Sequence, residues 1–330
     1  MPRSHLFDRE IYPAIQPSAS GHHPTSDGHS IYWETVGADD GIPVIFLHGG
    51  PGGGLSPSFR RFFDPDRFKV LLFDQRGCGN SQPLGSMENN TTQHLISDIE
   101  ALRELQGFEQ AVVFGGSWGS TLALAYAQAH PHRCLHLVLR GVFLGRKTEL
   151  DWFMDGMRSF FPETDGDFLK GVESKKGEEL LFHYYAQLID PDPEVHQPAA
   201  LAWANYEAAC TSIIPAKAPH YSFTNVAEAV AIARAEAHYF VNDLFLSEAP
   251  ILDNMAQLSD VPGTIIQGRY DIICPPITAF ELSKAWPKSK LRIINNAGHS
   301  SMESGIRRAL VGSMEELKKS LGSDLPLNSN

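Results

Sequence analysis

The pentapeptide Gly115-Gly116-Ser117-Trp118-Gly119 stands between an apolar run at 111–114 and a stretch of small and apolar residues at 121–129 whose composition predicts a helix. Strand, serine between glycines, helix: this order predicts a nucleophile elbow, a sharp turn that lifts a hydroxyl above the edge of a sheet. A hydroxyl attacks a carbonyl only when it projects clear of its own backbone, next to a base and beside N–H groups free to receive the developing negative charge. Glycine two residues either side of Ser117 lets strand and helix close around such a turn. An ordinary glycine-rich loop between strand and helix has the same composition, so the partners of the serine decide.

Those partners must follow the serine along the chain, the acid first and the histidine second. Residues 261–268 (VPGTIIQG) read as a buried strand, a short β-branched run bounded by Pro and Gly, and the chain continues into Gly268-Arg269-Tyr270-Asp271. Residues 290–295 (KLRIIN) read as the next strand and lead through Asn296-Ala297-Gly298 to His299. Both side chains then fall at the carboxyl ends of strands, where open parallel sheets bind ligands. Singly, an aspartate after a strand is commonly a cap, and a loop histidine is commonly solvated. His130 and His132 flank Pro131 at the far end of the elbow helix, and His22 and His23 lie outside any apolar framework, whereas His299 follows a strand and comes after the acid, the place the base requires.

A further glycine cluster, His48-Gly49-Gly50-Pro51-Gly52-Gly53-Gly54, follows the strand pattern at 43–47. The N–H of a residue here, assigned to Gly50, and that of Trp118 after the serine would form an oxyanion hole. The loop lacks the GK[ST] ending of a phosphate loop and the GxGxxG spacing of a dinucleotide site. His48 precedes the serine and reads as structural, shaping the hole.

At this point the residues resemble the proline iminopeptidases of the α/β-hydrolase superfamily. The resemblance runs from Tyr12-Pro13 and Asp27-Gly28-His29 through HGGPGGG at 48–54, DQRGCGNS at 74–81, GGSWGSTLAL at 115–124 and Arg140-Gly141-Val142-Phe143 to GRYD at 268–271 and Gly298-His299. It implies an α/β fold with a mostly parallel central sheet flanked by helices, an inserted helical cap, and a triad of Ser117, Asp271 and His299 that needs no metal or cofactor. Asp74 is structural in this reading. Glu207 and Glu236 fall where the family anchors the free amino terminus of its substrate, and Trp203 and Glu207, four apart, share a helix face. Two carboxylates in one pocket repel unless a cation joins them. Phe143, Trp152, Phe153 and Tyr239 fall among the aromatic residues expected to face the substrate, with Phe153 where a tyrosine is expected. Arg140 either orients the loops or pairs with a cap carboxylate.

Strand and helix patterns alternate to residue 144 and resume at 247, so residues 1–144 and 247–330 read as the catalytic core and 145–246 as the cap, with breaks at Pro162, Pro191-Asp192-Pro193 and Pro215. The formal charge of -12 excludes nucleic acid and anionic membrane as expected partners. Cys78, Cys134, Cys210 and Cys274 show neither zinc spacing nor a disulfide framework. The opening residues lack the apolar core of a signal peptide, and no apolar stretch approaches a membrane span, so a cytoplasmic enzyme is expected. The expected function is a serine exopeptidase that releases N-terminal proline from short peptides through an acyl-enzyme. The alternatives are an esterase, amidase or lactonase of the same fold, or a non-catalytic ligand-binding scaffold.

Overall fold

Short β-branched and aromatic runs build a single sheet in this protein. The computed structural model describes residues 10–162, 168–172, 174–213, 225–246 and 250–322, and its eight strands lie in the order β1-β2-β4-β3-β5-β6-β7-β8. β1 (Ala19–Pro24) and β2 (Ser30–Gly37) pair antiparallel, and β2 runs antiparallel to β4 (Phe68–Phe73). The remaining pairings, among β4, β3 (Ile42–Leu47), β5 (Ala111–Ser117), β6 (Cys134–Val142), β7 (Gly263–Gly268) and β8 (Ser289–Ile294), are all parallel.

β5 and β7 are buried along their whole length because helices cover both faces of the sheet, which is why they read in sequence as unbroken runs. Neighbouring residues enter different cores. Val113 and Ile265 pack on one face with Leu122 and Leu124 of α2 (Trp118–Ala129) and with Ile99 of α1 (Thr92–Leu105). Val112 and Ile266 pack on the other face with Ile306, Leu310 and Met314 of the last helix, Ser304–Leu321. Truncating one such buried aliphatic side chain to alanine costs about 2–5 kcal/mol.

Between β6 and β7 the described residues hold no strand. They form α3 (Lys147–Asp151), a π-helical turn at Trp152–Gly156, α4 (Gly177–Leu188), α5 (Pro193–Cys210) and α6 (Val226–Val241). The Pro191-Asp192-Pro193 break starts α5: Asp192 caps it by accepting from the Glu194 N–H at 2.9 Å, and Pro193 occupies the first helical position, where no N–H is needed. An aromatic cluster holds these helices together, with Phe168 stacked on Tyr206 at 4.1 Å and on Tyr184 at 4.7 Å between ring centroids. The break expected at Pro215 and the boundary at 247 lie outside the described residues. After β7 come α7 (Pro276–Ala285), β8 and α8 (Ser304–Leu321).

Candidate active site

Ser117 ends β5 and has φ 57° and ψ −128°, a backbone region that side-chain-bearing residues seldom occupy. The turn closes only around glycine. A Cβ on Gly115 would lie 2.1 Å from the Gly119 carbonyl oxygen, and one on Gly119 would lie 2.2 Å from that of Leu47. Inside the turn the Ser120 hydroxyl donates to the Ser117 carbonyl at 2.6 Å and accepts from the Phe143 N–H at 3.1 Å.

Asp271 lies just past the end of β7 and His299 past the end of β8, and the two meet: His299 Nδ1 is 2.9 and 3.0 Å from the carboxylate oxygens. Asp271 also accepts from Gln267 Nε2 at 3.0 Å and from the Cys274 N–H at 2.8 Å, so its orientation is fixed on three sides. An ionised carboxylate only accepts, which puts the proton on Nδ1 and leaves the Nε2 lone pair of a neutral imidazole open. That atom faces Arg140, whose Nη1 is 3.1 Å away and also donates to the His299 carbonyl at 2.9 Å. Among the described residues no hydrogen bond joins Ser117 to His299. Arg140 thus pairs with the histidine rather than with a cap carboxylate. Its burial pulls the guanidinium below its ordinary pKa, with the Asp271 charge opposing.

Ser117 opens on a cavity of about 300 Å³ lined by Gly50, Phe143, Glu149, Phe153, Glu207, Glu236, Phe240, Ile273 and Cys274. The apolar wall is Phe143, Phe153 and Phe240, with ring centroids 5.4 Å (Phe153–Phe240) and 5.9 Å (Phe143–Phe240) apart. Trp152 and Tyr239 do not line it. Trp152 turns its Nε1–H to the Ile272 carbonyl at 2.6 Å, and Tyr239 packs edge-on against Trp118, its hydroxyl donating to Asn90 Oδ1 at 2.8 Å. Glu236 and Phe240, four apart on α6, share a helix face, and Tyr239, about 100° round the helix from Phe240, packs on Trp118 instead of entering the cavity. Phe240 could have been found by that spacing. Glu149 was not expected at the cavity; Thr278 Oγ1 donates to it at 2.6 Å, and the Arg146 N–H donates at 2.9 Å. A second cavity, of about 590 Å³, lies on α3, α4 and α6 beyond Phe240 and holds no nucleophile.

The two glutamates come from different helices, Glu207 from α5 and Glu236 from α6, and their side chains hydrogen-bond each other. Glu236 is fully buried and accepts from Trp203 Nε1 at 2.5 Å, while Glu207 is half-buried at the cavity wall. Burial, and then the neighbouring Glu207 charge, push the Glu236 carboxyl well above its ordinary value of 4.5. Burial also raises Glu207, while the bond from Glu236 opposes the rise. Two buried carboxylates on one cavity wall resist carrying two charges, which favours the pair holding a proton. Cys274 is buried and its thiol is pushed up by that burial, far from thiolate.

His48, Asp74 and Cys78 form a buried cluster whose ligating atoms lie within 4.8 Å of one another. His48 and Asp74 are already engaged as acceptors, and the Cys78 thiol donates to the Gln75 carbonyl at 3.2 Å. His48 Nε2 accepts from the Gln75 N–H at 3.0 Å, and Asp74 accepts from the N–H groups of Leu55 at 2.6 Å and Asn80 at 2.8 Å. The cluster is a clasp for the glycine loop, in keeping with the structural reading of His48 and Asp74.

Fold and site define the class: the chain is an α/β hydrolase, and the family model described by that fold matches residues 42–306. It is 45% identical to a proline iminopeptidase of Arabidopsis thaliana over 95% of this chain and 83% of that protein. To the proline iminopeptidase of Neisseria gonorrhoeae it is 44% identical, covering 93% and 98%. This chain belongs to the proline iminopeptidase family. Among solved structures, a proline iminopeptidase of Mycobacterium smegmatis superposes with a TM-score of 0.61 at 18% identity, covering 92% of this chain and all (100%) of that one. A putative aryl esterase of Burkholderia cenocepacia superposes equally well, at 0.62 and 16% identity, over 92% of this chain and 100% of that one, so the superpositions speak for the fold alone.

Proposed function

We propose that this chain is a serine exopeptidase that releases proline from the free amino terminus of short peptides through an acyl-enzyme, with 145–246 acting as a cap that selects the substrate. One observation carries the reading: two glutamates from different helices, Glu207 and Glu236, line the same aromatic-walled cavity as Ser117. An aromatic wall suits the apolar pyrrolidine ring, and a carboxylate pair suits the cationic imino group within it. The ammonium joins two charges that otherwise repel, so binding draws the proton off the pair. A peptide with a blocked amino terminus brings no cation and leaves the pair unsatisfied.

In this reading Ser117 Oγ attacks the prolyl carbonyl while His299 Nε2 takes its proton, and Asp271 holds the tautomer and stabilises the imidazolium. The imidazole must exchange the Arg140 N–H for the serine hydroxyl as substrate arrives, since catalytic hydrogen bonds tighten in the complex. The tetrahedral oxygen takes hydrogen bonds from the N–H groups of Gly50 and Trp118. The first N–H groups of a helix have no partner within it, which frees that of Trp118. His299 then protonates the leaving amine, and water hydrolyses the prolyl ester by the same route in reverse. A cytoplasmic setting is supported by four free, buried cysteines, and none of the helices among the described residues is long and apolar enough to cross a membrane.

The test compares chromogenic amides of proline, N-acetylproline, alanine and leucine with a simple ester. The proline amide should be the preferred substrate, the acetylated one should be cleaved poorly, and Ser117→Ala should lose on the order of 10⁴ to 10⁶ in rate while keeping its fold. Efficient cleavage of acetylproline amide would make the protein a general amidase.

A further inference from the structure

The DQRGCGNS segment at 74–81 takes no part in the chemistry above, yet it touches both halves of the proposed oxyanion hole. Gln75 is buried, 2% exposed, and its side chain is spent in two directions. Its Nε2 donates to the His48 carbonyl at 2.9 Å, and its Oε1 accepts from Trp118 Nε1 at 2.8 Å. Its backbone N–H donates to His48 Nε2 at 3.0 Å. His48 opens the glycine loop that carries Gly50, and Trp118 is the residue after Ser117. One amide side chain therefore spans the gap between the two segments whose N–H groups must converge on one oxygen. The loop and the elbow already touch, since a Cβ on Gly49 would lie 3.1 Å from Ser117 Cβ, so a small change in the spacing moves one donor relative to the other. The far end of the glycine loop is held by the same segment, through Asp74 and the Leu55 N–H.

We propose that Gln75 is a positioning residue that sets the width of the oxyanion hole, acting through His48 and Trp118 without touching the substrate. This rests on the serine reading above. An amide is suited to the task because it presents a donor and an acceptor at the two ends of one rigid plane, as the two segments require. A carboxylate in its place would face the His48 carbonyl with a second acceptor, and an aliphatic side chain would orphan both the carbonyl and the indole N–H. The oxyanion exists only in the transition state, so misplacing its donors lowers kcat while binding of the ground state is unaffected.

The experiment measures kcat and KM for proline amide, inhibition by free proline, and inhibition by pyrrolidine-2-boronic acid in wild type, Gln75→Glu, Gln75→Met and Trp118→Phe. The boronate forms a tetrahedral adduct on a serine and places an oxyanion-like oxygen in the hole; free proline forms no tetrahedral adduct. Gln75→Glu keeps size and the bond from Trp118, so it serves if Gln75→Met does not fold. The expected result is that kcat/KM and boronate affinity fall together, by about 10- to 100-fold, with proline inhibition changed less than about 2-fold. A folded Gln75 variant with wild-type kcat overturns the proposal, and so does an equal loss of proline and boronate affinity, which would mean the whole cavity had collapsed. Wild type that ignores the boronate, or Ser117→Ala with full turnover, would instead remove the serine reading, and the role of Gln75 with it.

Discussion

Ser117 holds a backbone conformation that costs on the order of 1–3 kcal/mol, offset by the strand before it, the helix after it and the Ser120 hydroxyl bonded to its carbonyl. The glutamate pair is the other residue-scale tension. Glu236→Gln keeps the shape of the protonated acid and its bond to Glu207, so the free enzyme should fold unchanged, yet the second negative charge that the bound imino group calls for is gone. With either Glu207→Gln or Glu236→Gln, kcat/KM for proline amide should drop by about 10-fold or more, the loss expected when a charge-assisted bond worth about 2 kcal/mol is removed. Steady-state kinetics on both variants checks this; retention of wild-type kcat/KM in both would remove the amine anchor.

Separate elements must be clipped together before these residues can work, and several clips are single side chains. Glu303 sits between β8 and α8. One of its oxygens accepts from the Gly298 N–H at 2.7 Å, next to His299, and the other accepts from the Ile213 N–H at 3.0 Å, just past the end of α5. The Ser300 N–H donates to the Thr211 carbonyl at 2.8 Å beside it. The histidine loop is thereby fixed to the helix that carries Glu207. Glu303→Ala leaves the part-buried Gly298 N–H without its acceptor at about 1–3 kcal/mol, while water can take over at the exposed Ile213 N–H, so both melting temperature and kcat should fall, with Glu303→Gln intermediate because it keeps one acceptor. Thermal melts and kinetics of the two variants test it. In sequence Glu303 is one acidic residue before a helix, and nothing in its local pattern distinguishes it from a first-turn glutamate favoured by the helix dipole.

For the molecule as a whole, opposed titrations set the pH dependence of stability. Against the burial that would raise it, hydrogen bonds from Arg76 and Thr25 hold Asp27 at about 2, and those from Arg103 and Tyr126 likewise hold Glu100 at about 2. Both lie below their ordinary values, so their stabilisation is complete above those values of 3.8 and 4.5 and is lost as pH falls towards 2. Glu236 is raised, so the folded state binds a proton the unfolded chain gives up, and stability declines as pH rises above 4.5. Burial lowers His48, His136 and His238, which the unfolded chain protonates below 6.5, so their contribution to stability grows as pH rises towards 6.5 and opposes the Glu236 decline. In Glu236→Gln that decline should flatten, which melts from about pH 3 to 9 would reveal. The strands that lead to the glycine loop, the serine, the acid and the histidine, together with the elbow and the acid–histidine order, were legible in the chain, because each is a local pattern: a buried strand is a short apolar run, and a turn that tolerates no Cβ is written in glycine. The antiparallel β1–β2 pair was not legible, since β1 is mostly exposed and carries no apolar run. Only the tertiary structure brought Glu236 from α6 against Glu207 from α5, turned Tyr239 and Trp152 away from the cavity, aimed Arg140 at His299 and stretched Gln75 between two loops. Such contacts join residues far apart in the chain, and no periodicity of a single segment encodes which distant surface a side chain will meet once the elements pack.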